Sequence, residues 1–157
     1  MEFILGKNFS TLEHQVWLPY KFAVGPVFYR FYEGLKEEKI LGNQCPKCGK
    51  TLVPPRTFCP WCFVDMEEWK EVSQEGSVIT WCQANYKFFG MPIDPPFVGA
   101  LIRLDGTDCN FLHVIGGLDL TVQDLLKHSI RKGTRVKAVW SKKKKGHMLD
   151  IKYFEPI

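Results

Sequence analysis

Four of the six cysteines fall into two Cys-x-x-Cys pairs, Cys45/Cys48 and Cys59/Cys62, with ten residues between them. They lie in the run Gln44 to Cys62, QCPKCGKTLVPPRTFCPWC. Each pair fits a tight turn that aims two sulfurs at one point. Four thiolates converging this way form a closed tetrahedral site, the usual geometry of a structural metal. Gly49, directly after the first pair, suits a knuckle in which the chain turns with positive φ. With all four positions filled by protein, no coordination site is left for water or substrate. Two disulfides or a redox pair are the competing chemistries. The first is disfavoured in a reducing compartment, and the second by two pairs so close together outside any βαβ pattern.

Zinc and iron both remain open as the ion. Cys-x-x-Cys-Gly and Cys-Pro-x-Cys resemble rubredoxin knuckles, and an all-sulfur set does not separate the two metals. The short spacing favours a zinc ribbon. Beyond the metal, no Ser/His/Asp or Cys/His motif, phosphate-cradling glycine loop or His-Glu-x-x-His can be read. His14, His113, His128 and His147 are scattered and read as ordinary surface or half-buried residues. Cys82 and Cys109 fall in apolar strands and read as small buried hydrophobes. The expectation is therefore a protein that is not itself an enzyme.

The elements that must hold the knuckle pairs come in three blocks: residues 1–39, 40–68 and 69–157. In the first block, Ser10-Thr11-Leu12-Glu13 has capping-box form and predicts a short helix from Thr11 to Trp17. A second helix begins at Pro26, which is tolerated in a first turn. Its residues Phe28, Phe31, Tyr32 and Leu35 share one face. The arm is dense in aromatics, so Phe28, Phe31 and Tyr32 are candidates for a surface that meets another protein.

The third block reads as β-structure. Strands are predicted over Val72–Phe89, with a bend or bulge at Gly76, and over Phe97–Leu104, Cys109–Ile115, Arg135–Trp140 and Met148–Phe154. A short helix is predicted over Leu120–His128. Three strands, a helix and two strands give the plan of a five-stranded OB-fold barrel, with an SH3-like barrel as its rival. The fold class expected is mainly β: a helical arm, a rubredoxin-like four-cysteine ribbon and a C-terminal OB barrel.

Composition sets outer bounds. Hydrophobic residues make up 45% and charged residues 24%, which describes a folded chain rather than a disordered one. The net charge of +4 is mild for a dedicated nucleic-acid coat. No apolar run spans a bilayer, and MEFILGKNFS does not read as a signal peptide, so the expectation is a soluble cytoplasmic protein. The charge is nonetheless uneven. Lys127, Arg131, Lys132, Arg135, Lys137 and Lys142–Lys145 crowd one stretch that is free of acids. It fits a solvated hairpin tip, a phosphate-binding patch or a nucleic-acid face.

The helix ending Glu33-Gly34-Leu35, the ribbon carrying Pro54-Pro55-Arg56, and Glu75-Gly76-Ser77-Val78 opening the barrel resemble the zinc-ribbon/OB-fold family catalogued as domain of unknown function 35. The resemblance covers roughly Phe28 to the C-terminus. It implies a structural Zn2+ and a role around acyl-coenzyme A chemistry, including the mevalonate pathway. It also implies a thiolase and a hydroxymethylglutaryl-CoA synthase as partners, bridged so that the acyl-CoA intermediate is retained between them. Candidate acyl-CoA contacts are Arg56, Trp81, Tyr86, Phe88, Lys142, Lys143 and Lys144. The alternative is a single-stranded nucleic-acid adaptor, which would use the same aromatics and cations.

Overall fold

The computed structural model describes residues 3–5, 10–12, 18–88, 90–120 and 129–157. The elements are β1 (Phe3–Leu5), β2 (Ser10–Leu12), α1 (Pro26–Lys36), β3 (Ile40–Gln44), β4 (Thr51–Leu52) and β5 (Glu68–Val72). They continue with β6 (Glu75–Ala84), β7 (Phe97–Leu104), β8 (Phe111–Ile115), β9 (Arg135–Trp140), a 3-10 turn (Met148–Asp150) and β10 (Ile151–Pro156). No helix among the described residues is long and apolar enough to cross a membrane.

The start of the arm departs from expectation. Ser10–Leu12 form an antiparallel pair with Phe3–Leu5 rather than the first turn of a helix. A capping box is a local signal, and strand pairing with a neighbouring apolar run overrides it. Residues 13–17 of that predicted helix lie outside the described residues. Helix α1 forms as predicted, with Pro26 in its first turn. Its apolar face divides: Phe31 and Leu35 are fully buried in the main core, while Phe28 stays at the rim. Phe31 is therefore a core residue and not part of an exposed interface.

Strands β4, β3 and β5 form the ribbon sheet, in that order. The long strand expected from Val72 is thus two strands: Val72 closes β5 in the ribbon sheet, and the barrel begins at Glu75. The barrel is closed in the order β10-β8-β7-β6-β9, with β9 and β10 paired antiparallel. Its β8–β10 pairing is parallel. The first, second and third barrel strands are followed around the circle by the fifth and then the fourth, which is the OB arrangement. The helix predicted over Leu120–His128 falls on residues 121–128, outside the described residues, as does Phe89.

Two details of β6 set what the barrel exposes. Gly76 is not the bulge; it pairs in register with Leu104 on one side and Val136 on the other. A Cβ there would stand 2.4 Å from the Arg103 carbonyl oxygen, so close backbone approach is what requires glycine. The register shift lies between Val78 and Thr80. An inserted residue inverts the in–out alternation. Gly76 and Val78 point inward, Trp81 packs against the core, and Cys82 is exposed rather than buried.

The ribbon is sewn to the barrel. Val53, Ile40 and Val72 belong to the same buried cluster as Val78, Phe111, Ile151 and Phe154. Thr51 N–H donates to the Asp108 carboxylate (2.9 Å), and Asp108 N–H donates to the Thr51 carbonyl (2.9 Å). The half-buried Cys109 thiol accepts from Val53 N–H (3.0 Å) and donates to the Val53 carbonyl (3.2 Å).

Candidate functional site

The Sγ atoms of Cys45, Cys48, Cys59 and Cys62 all lie within 4.8 Å of one another. Cys48 Sγ and Cys59 Sγ are 3.8 Å apart, too far for a disulfide. A tetrahedron with metal–sulfur bonds of 2.3 Å has sulfur–sulfur edges of roughly 3.8 Å, so the thiols are spaced for a tetrahedral thiolate-bound ion. The backbone makes this geometry. Gly49 and Phe63 follow the two knuckles with φ of 70° and 54°, and Gly49 N–H and Phe63 N–H donate to the carbonyls of Cys45 and Cys59.

The thiols differ electrostatically. Burial opposes ionisation of Cys45, but the N–H groups of Cys48 and Lys47 and the neighbouring thiols outweigh it, bringing it to about 7. Contact with Cys48, burial and the other two thiols push Cys62 up to about 12. Four negative charges in one such space require a cation to balance them. The donor set and its spacing therefore fit a structural metal ion.

Asn43, which sequence reasoning missed, organises the loop between the knuckles. It is fully buried, its amide donates to the carbonyls of Arg56 and Met66, and its oxygen accepts from Arg56 N–H (3.1 Å). The backbone of Arg56 is thereby fixed while its side chain stays exposed. It lines one cleft with Phe28, Phe58 and Pro60, and another with Trp61, Cys109 and Asn110.

The other candidate contacts are spread around the molecule. Trp81 is half-buried against the core, and Tyr86 and Phe88 are exposed beyond the end of β6. None of the described cavities is lined by both Arg56 and a lysine of the 142–145 turn. Within that turn, Lys144 pairs with Glu38 at 2.7 Å and is engaged with the turn that follows α1. Lys143 and Lys145, together with His147, line a cavity of about 490 Å³. Lys142 is exposed. Upstream, Arg135 makes a two-pronged ion pair with Asp105 (2.7 and 2.6 Å), which ties strand β9 to the β7–β8 turn.

The aromatic surface does converge. Phe28 and Tyr32 have ring centroids 6.1 Å apart and share a cleft of about 270 Å³ with Phe22 and Val24. Phe28 also shares a cleft with Phe58, which stacks on Phe63 at 6.5 Å. Phe63 is 79% exposed at a left-handed backbone position. A bulky residue there costs on the order of 1–2 kcal/mol relative to the glycine that serves at the first knuckle.

His113, read as an ordinary histidine, is instead buried in the barrel. Its ring stacks on Phe111 (5.8 Å) and meets Phe154 edge-on (5.5 Å). Nε2 donates to the Met148 carbonyl at 3.2 Å, while Nδ1 has no hydrogen-bond partner. Burial drives its pKa below the usual range. The backbone of Met148 opposes this, as does that of Val114, which lies near the ring without hydrogen-bond geometry. The folded state thus resists a proton that the unfolded chain accepts near pH 6.5. This contribution to stability is complete above about pH 6.5 and declines as pH falls below it. His113→Phe should flatten the loss of melting temperature between about pH 7 and 5; an unchanged slope would assign the loss to other groups.

Two family models match the chain. One is the rubredoxin-like zinc ribbon domain of ChsH2, over residues 33–67, and the other is the C-terminal OB-fold domain of ChsH2, over residues 69–141. No curated protein matches the sequence. Among solved structures, an Ltp2-ChsH2(DUF35) aldolase chain superposes with a TM-score of 0.65 at 20% identity, covering 87% of this chain and 98% of that one. That likeness shows the fold alone. A DUF35-family protein of unknown function from Sulfolobus solfataricus superposes with a TM-score of 0.56 at 28% identity, covering 73% of this chain and 78% of that one. With the four-thiol ribbon and the closed barrel in sequence order, and residues 33–67 and 69–141 matched by the two models of a single family, the chain belongs to the ChsH2-type zinc-ribbon/OB-fold family, DUF35.

Proposed function

We propose that this protein is a non-catalytic scaffold subunit that docks on a thiolase and on a hydroxymethylglutaryl-CoA synthase and helps retain the acyl-CoA passing between them. Zinc is the resident ion on this reading, and its role is to brace the docking face. The observation that carries the proposal is the continuous aromatic surface from Phe22 through Phe28 to Phe58 and Phe63, part of it held at a cost in backbone strain. Exposed aromatics beside an arginine are the composition of interface hot spots. A structure of the same fold is named as an Ltp2-ChsH2(DUF35) aldolase, and an enzyme partner is in keeping with that name. Among the described residues, the one metal-binding cluster is the saturated four-cysteine site, which offers no open position for chemistry.

The test is co-purification of the full chain with a thiolase and the synthase, followed by sedimentation of any complex. Phe28→Glu should weaken the complex at least 100-fold, because it places a charge in a desolvated contact. Recovery of the chain with no acyl-transfer enzyme attached would overturn the proposal, as would turnover by the isolated chain. A single-stranded oligonucleotide binding tightly in place of an acyl-CoA would favour the nucleic-acid reading.

A further inference from the structure

The outer face of β7 and β8 is unlike an ordinary solvated sheet. Leu112 is 67% exposed there, and Leu149 lies 38% exposed just before β10. With Ile93, Phe97 and Val114 they line an apolar groove of about 360 Å³. Gly99 leaves this groove open. It pairs regularly with Cys82 and Val114, and a Cβ built on it would meet nothing within 4 Å. Leu149 is shared with the second cavity, of about 490 Å³, whose wall carries Lys143, Lys145 and His147. An apolar trough and a cationic cup therefore abut, and each falls within the size range of small-molecule sites.

The cup is built rather than incidental. The Asp150 carboxylate is buried and accepts from the N–H groups of Lys145 (2.9 Å), Gly146 (2.7 Å) and His147 (3.2 Å). That fixes the backbone of the turn from beneath. With Lys144 drawn to Glu38, Lys143 and Lys145 are left to face the cavity. Ammonium groups on a fixed turn beside an apolar trough match a ligand carrying phosphate at one end and a hydrocarbon chain at the other.

We infer that these two cavities are a single site for a phosphate-bearing amphiphile, with the chain lying over Gly99 and the phosphates at Lys143 and Lys145. The inference rests on the acyl-CoA reading above only for a soluble source of that ligand. A phospholipid surface presents the same chemistry, and the experiment separates the two.

Calorimetric titration of the full chain compares octanoyl-CoA with free CoA, and co-sedimentation with phosphatidylglycerol vesicles supplies the lipid arm. Gly99→Val fills the trough from an ordinary extended strand. It should weaken octanoyl-CoA at least tenfold and leave free CoA within about twofold. The pair Lys143→Glu and Lys145→Glu should weaken both at least tenfold and flatten the salt dependence. Vesicle binding lost in the same variants, without ester binding, would keep the site and assign the head group to lipid. If octanoyl-CoA binds wild type and both variants alike, with melting unchanged, this site is wrong while the scaffold reading stands. If neither ester nor vesicles bind the chain, alone or with its partner enzymes, the site and acyl-CoA retention both fall, while partner docking is judged by co-purification.

Discussion

Cys59→Ser is expected to empty the metal centre and unfold the ribbon. Apart from the cysteines, the buried cluster around the four thiols among the described residues is Leu52 and Met66, with Val64 partly covered; the ribbon's Ile40, Val53 and Val72 belong to the barrel's core instead. So small a cluster does not offset the entropy of ordering its loops. Metal binding in such modules supplies ~10–16 kcal/mol coupled to folding, against a total of about 5–15 kcal/mol for a whole domain. Cys59 is fully buried, so no water can replace its thiolate without opening the knuckle. Metal content by elemental mass spectrometry should fall from one ion per chain to well below that, and the melting transition should drop steeply. An intact stoichiometry with unchanged melting would refute the four-thiolate assignment. The same elemental measurement on wild type identifies zinc or iron.

Asp150→Ala is the second large effect. It removes a carboxylate that is 3% exposed and answers three backbone N–H groups. A donor left without a partner costs about 1–3 kcal/mol when fully buried, and less in this half-buried turn, where water can enter. A net loss of roughly 3 kcal/mol is expected. Burial alone would raise the pKa of Asp150, but the N–H groups of Lys145, Gly146 and His147 hold it below the usual range. The carboxylate's stabilisation is therefore present above about pH 4 and lost as pH falls through its depressed value. The variant should be less stable than wild type at pH 7, and the difference should narrow in strong acid. Amide exchange localised to Lys145–His147 would confirm the release of the turn. Wild-type protection there would place the effect elsewhere.

The metal site was legible because bond lengths tie cysteine spacing to geometry, leaving few folded alternatives. The barrel strands were legible because runs such as Phe97–Leu104 and Arg135–Trp140 carry β-formers such as Phe97, Val98, Ile102, Val136 and Trp140 and are bounded by turn residues. What escaped notice was set at long range. The periodicity of α1 identifies an apolar face. It does not say that Phe31 enters the core while Phe28 remains at its edge, since β3 and the barrel decide that. Cys82 was misread because nothing in its neighbourhood announces the bulge at Val78–Thr80. Asn43 and Asp150 look like ordinary loop polars in sequence. They matter because backbone groups that close in space point at them: Arg56 and Met66 for the first, residues 145–147 for the second. A faint sign of Asp150 was available in its place three residues after His147, the spacing of a reciprocal cap.

The contact of Cys109 with both polar groups of Val53 has a mechanical reading. Alongside the reciprocal Thr51–Asp108 pair, it rivets the four-thiol knot to the barrel in addition to the two-residue link, Ser73 and Gln74, between β5 and β6. An object pinned at two points cannot swivel. The protein then acts as a gauge block, and whatever grips its aromatic surface has its position relative to the lysine turn dictated in advance.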